Sequence, residues 1–195
     1  MNIYPKIEEI QNILDQINAL TMIFTVISEM KTHIIPDEIF DSLLSFLIVL
    51  IKGGNKICQK SAYNYFTTIP SSEYVFEKFH RIIVDQTEEI KAKKQNQKSH
   101  VKRKRHSKEN ENLKKSILEK VLQIMQMLTE GHYLEMQLYL REQTNSRNSY
   151  DLVSSVIELL YVYHTDLGTE NYYNILRCLE TLTEVVQVDI NNIIN

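Results

Sequence analysis

Leu47-Ile-Val-Leu-Ile-Lys-Gly53-Gly54-Asn55 runs an apolar helix into a glycine stop and continues, through a new helical start, to Gln59. A second copy follows. Met125-Gln-Met-Leu-Thr-Glu-Gly131-His132 runs on to Gln137, and a shift of 78 residues lays Gly53 on Gly131, Leu50 on Leu128 and Gln59 on Gln137. Glycine just past the last periodic residue adopts the left-handed conformation at little steric cost and satisfies carbonyls that a helix end leaves open. Repetition of helix, glycine stop and helix marks stacked architectures, because one such hairpin cannot bury its own apolar faces.

Working outward, composition supports the same class. The chain has 195 residues, 43% of them hydrophobic, with only four glycines and three prolines, which suits long helices better than many tight turns. The expected fold is all-α: an armadillo-like α-solenoid of stacked helical hairpins. Cys58 and Cys178 lie far apart on helical patterns with no ligand spacing around them, so both read as buried thiols in a reducing compartment. The start, Met1 to Glu9, lacks the basic opening and cleavage site of a signal peptide, and the most apolar run, Leu43 to Ile51, is far shorter than the ~20 residues a bilayer needs.

Toward the amino end, Ile7, Ile10, Ile13, Leu14, Ile17 and Leu20 keep helical spacing that predicts one helix to about Met30. Pro36, Asp37 and Glu38 suit the first turn of the next, which carries Leu43, Leu44, Leu47, Ile48 and Ile51. Asn55 is placed to cap a helix from Lys56 to about Thr68. Ser71 or Ser72 is placed to cap a further helix with the stripe Val75, Phe79, Ile82 and Gln86. Composition then changes abruptly. Residues 91–115 hold eleven Lys or Arg against two Glu, a net of +9 in a chain of −3 overall, around the cluster Lys102-Arg-Lys-Arg105. This stretch is expected to be a flexible basic linker between an amino-terminal layer, 1–90, and a carboxyl-terminal layer, 116–195.

Four helices are expected beyond it. Ile117, Leu118, Val121, Leu122, Ile124, Met125 and Leu128 cover more than half of the first, as for an element packed between neighbours. The second spans about Tyr133 to Glu142, the third is capped by Asn148 or Ser149, and the fourth follows Gly168-Thr169 with the stripe Tyr172, Ile175, Leu176, Leu179, Leu182 and Val186.

Ile51-Lys-Gly-Gly-Asn55, Gln59 and Tyr63-Asn-Tyr-Phe66 resemble a segment of the inositol trisphosphate receptors and ryanodine receptors. Leu122 to His132, Gln137-Leu-Tyr-Leu-Arg141 with Gln143, Ser149-Tyr150-Asp-Leu-Val153, and Leu179 to Glu184 with Gln187 resemble the following RIH-associated domain in the same order. The likeness covers about Phe40 to Gln187 and includes a variable polar insertion where the basic stretch lies. It implies a non-enzymatic helical scaffold in the cytosolic part of an intracellular calcium-release channel, at the cytosolic face of the endoplasmic reticulum. The implied partners are other solenoid layers or channel subunits. After Gln187 the family's Gly-Pro-Cys stretch is replaced by Val188-Asp-Ile-Asn, and neither ligand-binding trefoil nor pore segments are seen, so this chain alone is expected neither to conduct ions nor to bind inositol trisphosphate.

Gly53, Gly54, Asn55, Gln59, Gly131, His132, Gln137, Arg141 and Tyr150 are accordingly expected to be structural turn and motif residues. Lys102, Arg103, Lys104 and Arg105 are candidate contacts for an acidic protein, lipid or nucleic acid, and Ser107 is a candidate phosphosite. The competing function is a free-standing armadillo-like adaptor that binds such a partner through this loop and a helical groove. No cofactor or metal is expected, because the six histidines show no ligand spacing, and no nucleophile elbow or phosphate-binding loop stands out.

Overall fold

A computed structural model describes residues 4–33, 35–97, 108–165 and 171–187. Among these residues every regular element is helical. In chain order they are α1 (Tyr4–Gln16), α2 (Ala19–Glu29), α3 (Asp37–Ile51), α4 (Lys56–Thr68), a 3-10 turn (Pro70–Ser72), α5 (Glu73–Gln97), α6 (Lys108–Thr129), α7 (Leu134–Tyr139), α8 (Leu152–His164) and α9 (Tyr172–Val186). No single helix among them is long and apolar enough to cross a membrane.

The order first helix, second helix, third helix occurs three times: α1–α2–α3, α4–α5–α6 and α7–α8–α9. The third helices form one row, with α3 packed along α6 and α6 along α9, while α2, α5 and α8 form another. One core runs through all of them, from Leu20 and Phe24 through Phe66 and Val121 to Tyr163 and Cys178. Phe66 sits at an aromatic centre, 4.6 Å from Phe24 and 4.9 Å from Phe76 in edge contacts, an arrangement worth roughly 1 kcal/mol per pair beyond burial.

The row is parallel and in register. Asp41 of α3 meets Lys120 at 2.6 Å and Ser116 at 2.8 Å on α6; Thr181 of α9 donates to the Leu122 carbonyl of α6 at 3.1 Å. Both partners of the Asp41–Lys120 pair are about four-fifths buried, with side-chain exposures of 21% and 22%. It therefore holds register more firmly than a surface pair.

Five expectations need correction. The single amino-terminal helix breaks at Asn18, which takes φ 62°, and α1 and α2 diverge by 62°. Asparagine tolerates the left-handed region better than most residues, and the bend turns Leu20, Ile23 and Ile27 inward while Ile10, Ile13 and Ile17 stay exposed. The linker expected over 91–115 is helical at both its ends, since α5 extends to Gln97 and α6 begins at Lys108, while residues 98–107 lie outside the described ones. Its first three lysines are taken up by neighbours: Lys91 pairs with Glu88 and Glu158, Lys93 with Glu89 and Glu111, and Lys94 bonds to the Val162 carbonyl and the Thr165 hydroxyl. Ser72 turns its hydroxyl to the Phe66 carbonyl, and Asp151, rather than Asn148 or Ser149, caps α8 through the Ser154 amide at 2.9 Å. Finally, α9 buries Asn174, Cys178, Thr181 and Val185, while Tyr172, Leu176, Leu179 and Val186 of its expected stripe are exposed.

Candidate functional site

Each three-helix unit is closed by a glutamine. The last four carbonyls of a helix have no intrahelical donor, and a primary amide offers two N–H groups that can take two of them. Gln59 of α4 donates through Nε2 to the carbonyls of Met127 at 2.8 Å and Glu130 at 2.9 Å, at the end of α6. Gln137 of α7 does the same at the end of α9, to Glu184 at 2.7 Å and Gln187 at 2.9 Å. Gln11 of α1 repeats the device at the end of α3, to Val49 at 2.8 Å and Lys52 at 3.0 Å. All three are buried. In every case the two acceptors are three residues apart, so the bonds fix the angle of a short helix against a long one within the same unit.

The glycine turns deliver these glutamines. Gly53 and Gly54 take φ 80° and 64°, and Gly131 and His132 take φ 75° and 62°, so both copies place two successive residues in the left-handed region before the short helix. Gly54 is further constrained: a Cβ there would stand 2.9 Å from the Glu130 Cβ. Asn55 then accepts from the amides of Ile57 at 3.0 Å and Cys58 at 3.3 Å, capping α4, and its Nδ2 donates to Gln11 Oε1 at 3.0 Å and Asn12 Oδ1 at 2.8 Å. The cap of one unit thus orients the glutamine of the unit before it.

Tyr150 and Gln143 stitch the segment between α7 and α8. Gln143 Oε1 accepts from the Tyr150 amide at 2.7 Å, and its Nε2 donates to the Tyr139 carbonyl at 2.5 Å. The Tyr150 ring lies 5.4 Å from that of His80, whose Nδ1 is 2.9 Å from the Ser155 hydroxyl. Burial raises the Tyr150 phenol above its ordinary pKa, with Glu77 and Glu73 adding to the effect and Arg81 opposing it. From the same segment, Asn145 reaches back to α4 and donates to the Phe66 and Thr67 carbonyls. Arg141, expected at a structural position in the matched block, is exposed and makes no bond between layers among the described residues.

Lys102, Arg103, Lys104, Arg105 and Ser107 lie outside the described residues. Among the described residues no group of three or more His, Cys, Asp or Glu side chains is placed to hold a metal ion. A cleft of about 160 Å³ opens between α3, α5 and α6, where Lys78 lies 5.2 Å over the Phe40 ring. It falls below the ~300 Å³ at which ligand pockets begin and carries charges of both signs.

Gln11 escaped sequence reading because no glycine precedes it: Pro5 stands six residues before it, where Gly53 stands before Gln59. Its acceptor spacing would have revealed it only with the partner helix known. Residues 112–194 match the family described as RyR and IP3R Homology associated. No curated protein matches the chain. The matched span holds nearly all of α6 together with α7, α8 and α9, including the Gln137 cap and the α9 end of the row, but not α3. Over residues 112–194, therefore, the chain is similar to the family of RyR and IP3R Homology associated domains.

Proposed function

We propose that the protein is a non-enzymatic scaffold, an armadillo-like stack of three-helix units. Like the RIH-associated region it resembles, it would serve in the cytosolic assembly of an intracellular ligand-gated calcium-release channel. The observation that supports this reading is the glutamine device. Each unit is locked internally by two bonds from a buried amide, and adjacent units are joined by the register contacts between third helices and by Asn55. A stack built in this way moves as a body, so a tilt imposed at one end reaches the other.

In this role the chain works on the cytosolic face of the endoplasmic reticulum through its channel partner. Affinity capture of the tagged chain under gentle lysis is expected to recover a larger channel subunit, and its deletion to reduce calcium release from stores. Recovery of no channel component, together with capture that collapses at moderate salt and on replacing residues 102–105 by Ala, would replace this reading with the adaptor that binds through the basic cluster.

A further inference from the structure

The glutamine acceptors set the three third helices in one register: Val49 and Lys52 correspond to Met127 and Glu130, and to Glu184 and Gln187. Within this register each helix has a face toward the preceding unit and a face toward the following one. On α6 the preceding face is Ile117, Ile124 and Met127, which are 5%, 0% and 9% exposed against α3. The corresponding residues of α3 are Ile39, Phe46 and Val49, and these are 52%, 39% and 55% exposed. On α3 the following face is Asp41, Leu44 and Ile51, packed against α6. The corresponding residues of α9 are Leu176, Leu179 and Val186, which are 40%, 47% and 49% exposed.

The two ends of the row therefore carry the two halves of an interface that the molecule already forms twice inside itself. The geometry points to end-to-end association, in which the α9 face of one copy takes the α3 face of a second copy in the register of the α3–α6 and α6–α9 contacts. The ion pair of the internal contact is replaced by neutral groups at the two ends. In the internal contacts the position of Lys120 and Arg177 on the preceding face is answered by a polar group across the contact, Asp41 at 2.6 Å and Gln126 at 3.3 Å. At the same position α3 carries Ser42, and the residues of α9 that would meet it are Leu176 and Thr183. The hydroxyls of Ser42 and Thr183 are already bonded to the Glu38 and Leu179 carbonyls within their own helices. One carboxylate enters the contact: Glu38 corresponds to Ser116, which meets Asp41 at 2.8 Å, and it is exposed at the first turn of α3, where it can keep its water. Because the faces differ, the contact is heterologous and repeats from copy to copy.

This inference rests on the stacked units and is independent of the channel reading. Sedimentation velocity on the full chain tests it. The wild-type weight-average mass is expected to rise with concentration above the 23.0 kDa of one copy. Phe46→Glu, which blocks one face, and Leu179→Glu, which blocks the other, are each expected to weaken self-association at least about tenfold. Mixed in equal amounts, the two variants are expected to form a dimer that grows no further, since each retains the face its partner needs. If either charge lowers helical circular dichroism, Val49→Glu and Leu176→Glu take their place. A wild-type protein that stays monomeric at every concentration, or variants that associate as the wild type does, overturns the proposal. A monomer whose Gln59→Leu variant still melts early retains the stacked units, so that result assigns the end faces to a different protein without removing the stack.

Discussion

The two glycine turns share a backbone and differ in what surrounds it. At Gly53-Gly54-Asn55 the turn is pressed against Glu130, caps α4 through Asn55 and reaches back to Gln11. At Gly131-His132-Tyr133 the second left-handed residue bears a side chain, its buried Nδ1 has no hydrogen-bond partner, and Tyr133 provides no side-chain cap for α7. Both turns lie between consecutive units; the first is pressed against Glu130 and bonded to Gln11 and Asn12 through Asn55, whereas the second has no counterpart of Asn55. Dihedral angles alone therefore do not rank the two turns. What their residues touch does.

The sharpest test of that difference compares the glutamines. Gln59→Leu keeps the volume but leaves the Met127 and Glu130 carbonyls without the amide, at an expected cost of about 3 kcal/mol. Gln137→Leu is expected to cost about half as much by the same reasoning, because Gln187 is exposed and water can replace the lost donor. Urea unfolding of both variants measures the gap, and equal losses would break the comparison.

Next comes the steric contrast. Gly54→Ala strains φ and drives a Cβ into Glu130, with an expected loss of about 2 kcal/mol. His132→Gly relieves a left-handed histidine and is expected to be neutral or to stabilise by about 0.5 kcal/mol. Thermal melting of the pair distinguishes a braced turn from a free one.

The thiols extend the comparison to pH. Burial raises both Cys58 and Cys178 from 9.0 to about 12, with Asp15 adding to the effect at Cys58. The folded state favours the protonated thiols, so their contribution is complete below the unfolded pKa and is lost as pH rises from 9.0 toward about 12. Stability is expected to fall by roughly 1 kcal/mol per thiol for each pH unit in that window. Alkylation at pH 8 should follow unfolding rather than thiolate chemistry. Cys58→Ser and Cys178→Ser melted at pH 7 and pH 10 report each thiol separately.

The smallest expected effect is electrostatic. Desolvation and the neighbouring Glu184 carboxylate raise the Glu130 pKa. Glu130→Gln removes that repulsion while keeping the backbone carbonyl that Gln59 needs, and it should raise the melting temperature by about a degree or two. A loss would mean that the carboxylate, rather than the backbone, serves the junction.

Much of this was legible in the chain. Glycine followed six residues later by glutamine marked two of the three units, since only a stop and a new start need that spacing, and Asn55 announced its capping role. The apolar density of α6 declared a helix covered on both sides. Misreadings fell where periodicity does not say which side is covered. Ile10, Ile13 and Ile17 repeat as core residues do and yet face outward. On α9 the more apolar stripe is the exposed one, while Asn174 and Thr181 go inside, Thr181 with its hydroxyl on the α6 backbone. The lysines from 91 onward read as a solvated run because their partners, Glu158, Glu111 and the Val162 carbonyl, are remote in sequence or lie beyond the masking run of charge.

Local chemistry in the sequence determined most of the helices, their glycine stops and the Asn55 cap, and singled out the amides of Gln59 and Gln137 as motif residues but not that of Gln11, because stops and caps depend on residues within about one helical turn of one another. Tertiary structure alone decided which carbonyls those amides would close, across separations of 38 to 71 residues. It also decided which apolar faces were covered. A hydrogen bond or a buried face requires a partner in space, and nothing in the local pattern specifies where along the chain that partner lies.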